Sequence, residues 1–243
     1  MDDAPELERE QVSLTFLEQS EAPILQLLLD KEQRNLYIVH TNGELVHIDV
    51  SDKSEPQQVQ KLRLVDVGLQ VTSVQFLAGD ISLLVGDSSG RVVQWFDVKD
   101  ERGNAGLRPI REFTEQSQAI VGIAPEFGRK GFVAADKGGQ FAIYHTTAER
   151  LMLTERASSA SIAALAIAPR ANAILSEDEK GRLSFWHVDN EHPEISWSSL
   201  WEKVWYESYD EPAYAWQSSA SNDDFEPKMS LSPLVYGTIK AAF

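Results

Sequence analysis

Ser88 stands inside Gly86-Asp87-Ser88-Ser89-Gly90, the G-x-S-x-G spacing that in hydrolases lifts a nucleophilic hydroxyl onto a strand-to-helix turn. Here both flanks read as strands, so the same five residues are expected to form the tight turn of a β-hairpin. The five histidines are His40, His47, His145, His187 and His192. None shares a metal-ligand spacing with another His or with a carboxylate cluster. His145 and His187 fall at equivalent points of two sequence repeats, where the sister repeats carry Asp49 and Phe96, which suits strand-end packing better than ligation. Gly138-Gly139 lacks the Lys-Ser/Thr that completes a phosphate loop. Asp223-Asp224 lie in a low-complexity polar stretch and read as solvated. Asp30 and Asp87 fall in comparable loop regions without an assignable role. Cysteine is absent, which excludes thiolate chemistry and disulfides. The expectation is a non-enzyme with no catalytic, cofactor-binding or metal-ligating residues.

These residues sit on a framework of four similar segments, residues 22–50, 70–98, 118–146 and 161–188. Each reads as an apolar strand, a polar turn, a second apolar strand, a tight turn ending in Gly, and a third strand. The turn glycines are Gly43, Gly90, Gly139 and Gly181, spaced by 47, 49 and 42 residues, the period of a propeller blade. The residues before them, Asn42, Ser89, Gly138 and Lys180, are small or polar, as a turn requires. Five residues after each glycine comes a large apolar side chain: Ile48, Trp95, Tyr144 and Trp186. This placement resembles a degenerate form of the WD dipeptide that closes the third strand of WD40 blades.

Residues 59–65, 109–114 and 151–155 supply a fourth, outer strand to the first three blades. Residues 12–17 read as a similar piece that closes the ring by pairing with the last blade. The predicted fold is all-β: a WD40-like β-propeller with a C-terminal helical tail. Three arrangements fit the count: a closed four-blade ring, part of a larger ring lacking its N-terminal blades, or two chains completing one ring. The second is favoured, with self-association as a consequence of the open end.

The 243 residues carry 22 Lys and Arg against 38 Asp and Glu, a net charge of −16. Such a surface repels phosphate backbones, so nucleic acid is not an expected partner. The first residues lack the basic and apolar regions of a signal peptide. No apolar run approaches the roughly 20 residues of a membrane span.

The tail differs in composition, and five of the six tryptophans lie from Trp186 onward. Trp197, Trp201 and Trp205 recur every four residues, so residues 196–206 read as an amphipathic helix. Its aromatic stripe suits packing on the propeller or, as a sharper alternative, a membrane interface. A polar linker, 217–228, then leads to 229–243. This division gives a propeller at 1–194, a Trp-rich helix at 195–216, and the linker with a final apolar segment at 217–243.

The tryptophan series, the acidic linker and the segment Pro233-Leu234-Val235-Tyr236-Gly237-Thr238 together resemble the permease subunit of phosphate-specific ABC transporters, over residues 195–243. The resemblance implies a propeller inserted on the periplasmic side of a bacterial inner-membrane protein, with the membrane reached through segments outside this chain. The implied role is a docking or regulatory platform for phosphate uptake, and the implied partners are other transporter subunits and the phosphate-binding protein. No phosphate-contacting residue is carried over. The alternatives are a freestanding WD40-like scaffold, or a hydrolase or lyase using the propeller's central channel. The last requires acids, His or Arg from different blades to converge there.

Overall fold

The computed structural model describes residues 9, 11–17, 20–189, 192–220 and 225–242. Short runs of β-branched and aliphatic residues, broken at Gly-containing turns, fold into antiparallel sheets whose strands follow chain order. The first sheet is β1 (Ile24–Leu29), β2 (Asn35–His40), β3 (Glu44–Asp49) and β4 (Gln57–Arg63). The second is β5 (Val71–Phe76), β6 (Leu83–Asp87), β7 (Val92–Lys99) and β8 (Ala105–Phe113). The third is β9 (Ile120–Pro125), β10 (Gly131–Asp136), β11 (Gln140–His145) and β12 (Arg150–Arg156). The fourth has three strands, β13 (Ile162–Ile167), β14 (Ala173–Asp178) and β15 (Leu183–His187). Each sheet is one propeller blade.

The outer strands foreseen at 59–65, 109–114 and 151–155 are β4, β8 and β12, shifted by a few residues. The ring-closing role expected of residues 12–17 is not observed. That segment is not a strand, and Leu14, Phe16 and Leu17 pack on blade 1 rather than blade 4. Three adjacent apolar side chains gain more by covering Ile38, Val46 and Ile48 than an isolated edge pairing would give.

The tight turns share one device. Asp87, Asp136 and Asp178 stand three residues before Gly90, Gly139 and Gly181, and each Oδ1 accepts the backbone N–H four residues on, from Arg91, Gln140 and Arg182. In blade 1 His40 takes this place. Gly139 has φ +83°, and a Cβ there would lie 2.2 Å from the carbonyl oxygen of Ser158, so the turn admits only glycine.

Consecutive blades pack face to face and bury three apolar layers. Tyr37, Val39 and Leu45 meet Val74, Val85 and Trp95 between blades 1 and 2. Val92 and Phe113 meet Phe132 and Tyr144 between blades 2 and 3. Phe141 and Ile143 meet Ile162 and Ile174 between blades 3 and 4. The inner strands β1, β5, β9 and β13 neighbour one another in that order, and among the described residues no comparable packing joins β13 back to β1. The blades form an open arc.

After blade 4 the chain returns across blades 3 and 2. Helix α1 (Trp197–Trp201) is a single turn closed by a Ser196–Ser199 capping box. The predicted helix over 196–206 is therefore cut short. Val204 leaves it to exchange backbone hydrogen bonds with Ala213, 2.9 and 3.1 Å long. The predicted linker is also partly structured, because β16 (Trp216–Gln217) pairs with β17 (Lys228–Met229). Asp223 and Asp224 lie outside the described residues. Helix α2 (Ser232–Ala242) ends the described chain.

Candidate interaction surfaces

The four inner strands line a central cleft of about 320 Å³ that is open on one side. Its polar lining comes from Gln26, Thr72, Ser73 and Gln75, and the rest is aliphatic or glycine. No acid, His or Arg is among the lining residues, so the convergence required for channel chemistry is not present there. Ser88 lies in the β6–β7 turn, where its hydroxyl accepts the Gln70 N–H at 3.1 Å. Asp30 and Asp87 are not in comparable loops. Asp30 closes the β1–β2 turn by accepting from Arg34 and Asn35, whereas Asp87 organises the β6–β7 turn.

His145 is buried at a strand end, and its Nδ1 faces the Ala148 N–H at 3.3 Å. Burial, together with the charges of Arg129, Arg111, Arg150 and Lys130, pushes its pKa down to about 3, so the ring is neutral. His187, its positional counterpart, is exposed. His47 is buried, stacks on Tyr37 at 4.4 Å, and meets Asn35 Oδ1 through Nε2 at 2.8 Å. Among the described residues no group of three His or acidic side chains is arranged to hold a metal ion.

The more informative surfaces are the blade faces. Side chains alternate across a strand, so positions two and four after each turn glycine point to one face and positions three and five to the other. The third and fifth positions face the preceding blade: Val93 and Trp95, Ala142 and Tyr144, Ser184 and Trp186. The second and fourth face the following blade: Leu45 and His47, Val92 and Gln94, Phe141 and Ile143. All six of these are buried. In blade 4 the corresponding pair is Leu183 and Phe185, 58% and 78% exposed. Cross-strand register sets Leu175 and Ala166 beside Phe185, so the bare face is continuous and, but for Glu177 beside Leu183, apolar. The WD-like fifth position was legible in the sequence. The second and fourth were not singled out, although the same glycine ruler reaches them.

At the other end of the arc, Val46 and Ile48 of blade 1 face where a preceding blade would be. They are buried, with Ile38, under Leu14, Phe16 and Leu17. On the same face Leu27 and Leu29 of β1 remain 58% and 49% exposed.

The returning tail is held by a buried polar cluster. Lys130 pairs with Glu207 at 2.6 Å and donates to the Ala78 carbonyl at 2.5 Å. Ser82 donates to Glu207 at 2.5 Å and accepts from Gln94 at 2.9 Å. Arg111 reaches Gln94, Glu149 and the Trp205 carbonyl. Glu226 accepts from Thr147 at 2.5 Å and from the Glu207 N–H at 2.7 Å. Burial first, and the neighbouring Glu207 second, raise the Glu226 carboxyl above its ordinary range.

The tryptophan stripe is therefore divided. Trp197 and Trp201 are 76% and 39% exposed with ring centroids 6.2 Å apart, while Trp205 turns inward, edge-on to Phe96 at 6.3 Å. Pro233, Leu234, Tyr236, Gly237 and Thr238 all lie on α2, and Leu231, the residue before it, donates its N–H to the Leu200 carbonyl of α1 at 2.8 Å. Within α2, Thr238 donates to the Leu234 carbonyl at 2.8 Å, and no residue of the helix is buried. No helix among the described residues is long and apolar enough to cross a membrane.

No protein-family model and no curated protein matches the chain. Solved structures do. The structure of U3-55K is 13% identical over 71% of this chain and 51% of that one, with a TM-score of 0.58. The RRP9 WD40 repeats are 13% identical over 71% and 50%, with a TM-score of 0.59. The computationally designed Ika4 protein is 18% identical over 75% of this chain and 100% of its own, with a TM-score of 0.58. The chain spans about half the length of the U3-55K and RRP9 structures. Blade geometry, strand order and these likenesses agree that the chain has the WD40-type β-propeller fold.

Proposed function

We propose that this chain is a protein-interaction platform of the WD40-like kind, and that it works through binding rather than catalysis. The observation that carries this reading is the apolar face of blade 4, where Leu183 and Phe185 occupy positions that every other blade buries against a neighbour. A soluble surface does not normally keep such side chains bare unless something docks on them. The structure of the Mitotic Checkpoint Complex, an assembly, shares the fold at 14% identity over 78% of this chain and 59% of that one, with a TM-score of 0.53. The test places a photocrosslinking amino acid at Phe185 in cells expressing the protein. The reading expects a discrete cross-linked protein from that site and none from Ile143. Absence of any adduct at Phe185 would contradict it.

A second, finer reading sets the platform on the periplasmic side of a phosphate-uptake permease in a bacterial inner membrane. It is supported by α2, which bears the permease-like residues and presents Leu234, Val235, Tyr236 and Ile239 without covering them. Trp197 and Trp201 lie on α1, to which the start of α2 is tied, as an interfacial aromatic pair would. Fractionation and accessibility labelling of the native gene product test this reading. A membrane-embedded product with the propeller outside the cytoplasm supports it, and a product that is never membrane-bound contradicts it.

A further inference from the structure

The two ends of the arc are complementary. Blade 4 ends in the face that each blade offers to its successor, and blade 1 begins with the face that each blade offers to its predecessor. Leu183 and Phe185 form the first. Ile38, Val46 and Ile48 form the second, occupied in this structure by Leu14, Phe16 and Leu17. Those three side chains fill the place a preceding blade's third strand would fill, so they act as a plug. The fit is incomplete, because Leu27 and Leu29 of the same face stay largely exposed.

We propose that the partner of blade 4 is a second copy of this chain. Two arcs join head to tail, blade 4 of each on blade 1 of the other, and the plug yields to Leu183 and Phe185. The inference rests on the interaction-platform reading and names its partner. Two observations select a second copy. The contact continues the packing already made three times within the chain, between blades 1 and 2, 2 and 3, and 3 and 4. The chain spans about half the length of the U3-55K and RRP9 structures, so two copies span about the length of one such structure. A twofold arrangement of this kind forms two equivalent contacts at once and closes the ring. Each copy carries a net charge of −16, so the copies repel at long range and association strengthens as salt is added.

Sedimentation velocity of the 243-residue chain, from low to high micromolar concentration, tests the proposal. The expected result is a reversible dimer of twice 27.2 kDa. Phe185→Asp weakens association by about a hundredfold or more, since a charge replaces a central apolar anchor. Phe16→Ala, which loosens the plug, strengthens it by about tenfold. The double variant Phe16→Ala with Phe185→Asp returns to monomer, which separates seating at blade 1 from general stickiness. Circular dichroism confirms that each variant is folded, and Phe185→Ser serves if the aspartate variant is not. A wild type and a Phe16→Ala variant that both stay monomeric, or a dimer indifferent to residue 185, would overturn the proposal. Cross-links from Phe185 to a different protein, with a monomeric chain, would overturn it while leaving the platform reading intact. No cross-link and no dimer would remove both.

Discussion

Lys130 and Glu207 form a charge pair with almost no solvent contact, and the pair joins the tail to blades 2 and 3. A buried pair of this kind matters less for its own attraction than for the cost of breaking it. Lys130→Met removes the cation from the Glu207 carboxylate, which keeps only the Ser82 hydroxyl, and removes the Lys130 donor from the Ala78 carbonyl. The expected loss is about 3–5 kcal/mol in urea unfolding. Lys130→Met combined with Glu207→Leu should recover much of it, and a double variant as unstable as the single one would refute the coupling. Glu226 adds a pH dependence. Its folded-state pKa lies above the ordinary 4.5, so its contribution to stability is fully present below that value and fades as pH rises through the raised one. Melting temperature measured against pH should fall less steeply over that interval for Glu226→Gln than for the parent chain. Identical slopes would show that Glu226 does not titrate in this way.

At the scale of elements, the turn glycines are alike in sequence but not in surroundings. Gly139 and Gly181 both have positive φ, +83° and +73°. A Cβ on Gly139 meets backbone oxygens of Ser158 and Ala160 at 2.2 and 2.4 Å, while the nearest atom to one on Gly181 is a flexible Glu177 oxygen at 4.0 Å. Gly181→Ala should therefore cost about 1–2 kcal/mol, the strain of a left-handed alanine alone. Gly139→Ala should cost clearly more, because the β12–β13 connection has to move. Equal losses in chemical denaturation would contradict this. The contrast also marks how much was legible beforehand. Gly43, Gly90, Gly139 and Gly181 set the blade period, and Trp95, Tyr144 and Trp186 set the face, because both patterns are local. The fate of residues 196–206 was not local. Trp197, Trp201 and Trp205 have helical spacing, but Val204 finds Ala213, Trp205 finds Phe96, and Glu207 finds Lys130. Phe96 and Lys130 lie far off in sequence and Ala213 lies beyond a loop, and together these partners end the helix at Trp201. Residues 12–17 were misread for the same reason. Their alternation suits a strand, yet the uncovered face of blade 1 offers Leu14, Phe16 and Leu17 more burial than a strand edge does. Trp205→Ala should accordingly destabilise the chain by about 2 kcal/mol or more, whereas Trp197→Ala should stay within about 0.5 kcal/mol.

At the largest scale, the governing feature among the described residues is an arc that does not close. Three blade junctions are buried apolar layers, and the fourth is half made: plugged at blade 1 and bare at blade 4. This asymmetry is where the proposed interaction surface and the proposed two-copy ring both reside. The chain has no native cysteine, so single thiols report on each face without background. The decisive measurement is the rate of thiol modification in Phe185→Cys compared with Ile143→Cys, at concentrations where the chain is monomeric. The open arc predicts modification at 185 near the rate of an unfolded control, with 143 slower by several orders of magnitude. Equal protection at both positions in the monomer would mean that blade 4 is already covered, and the account would be wrong.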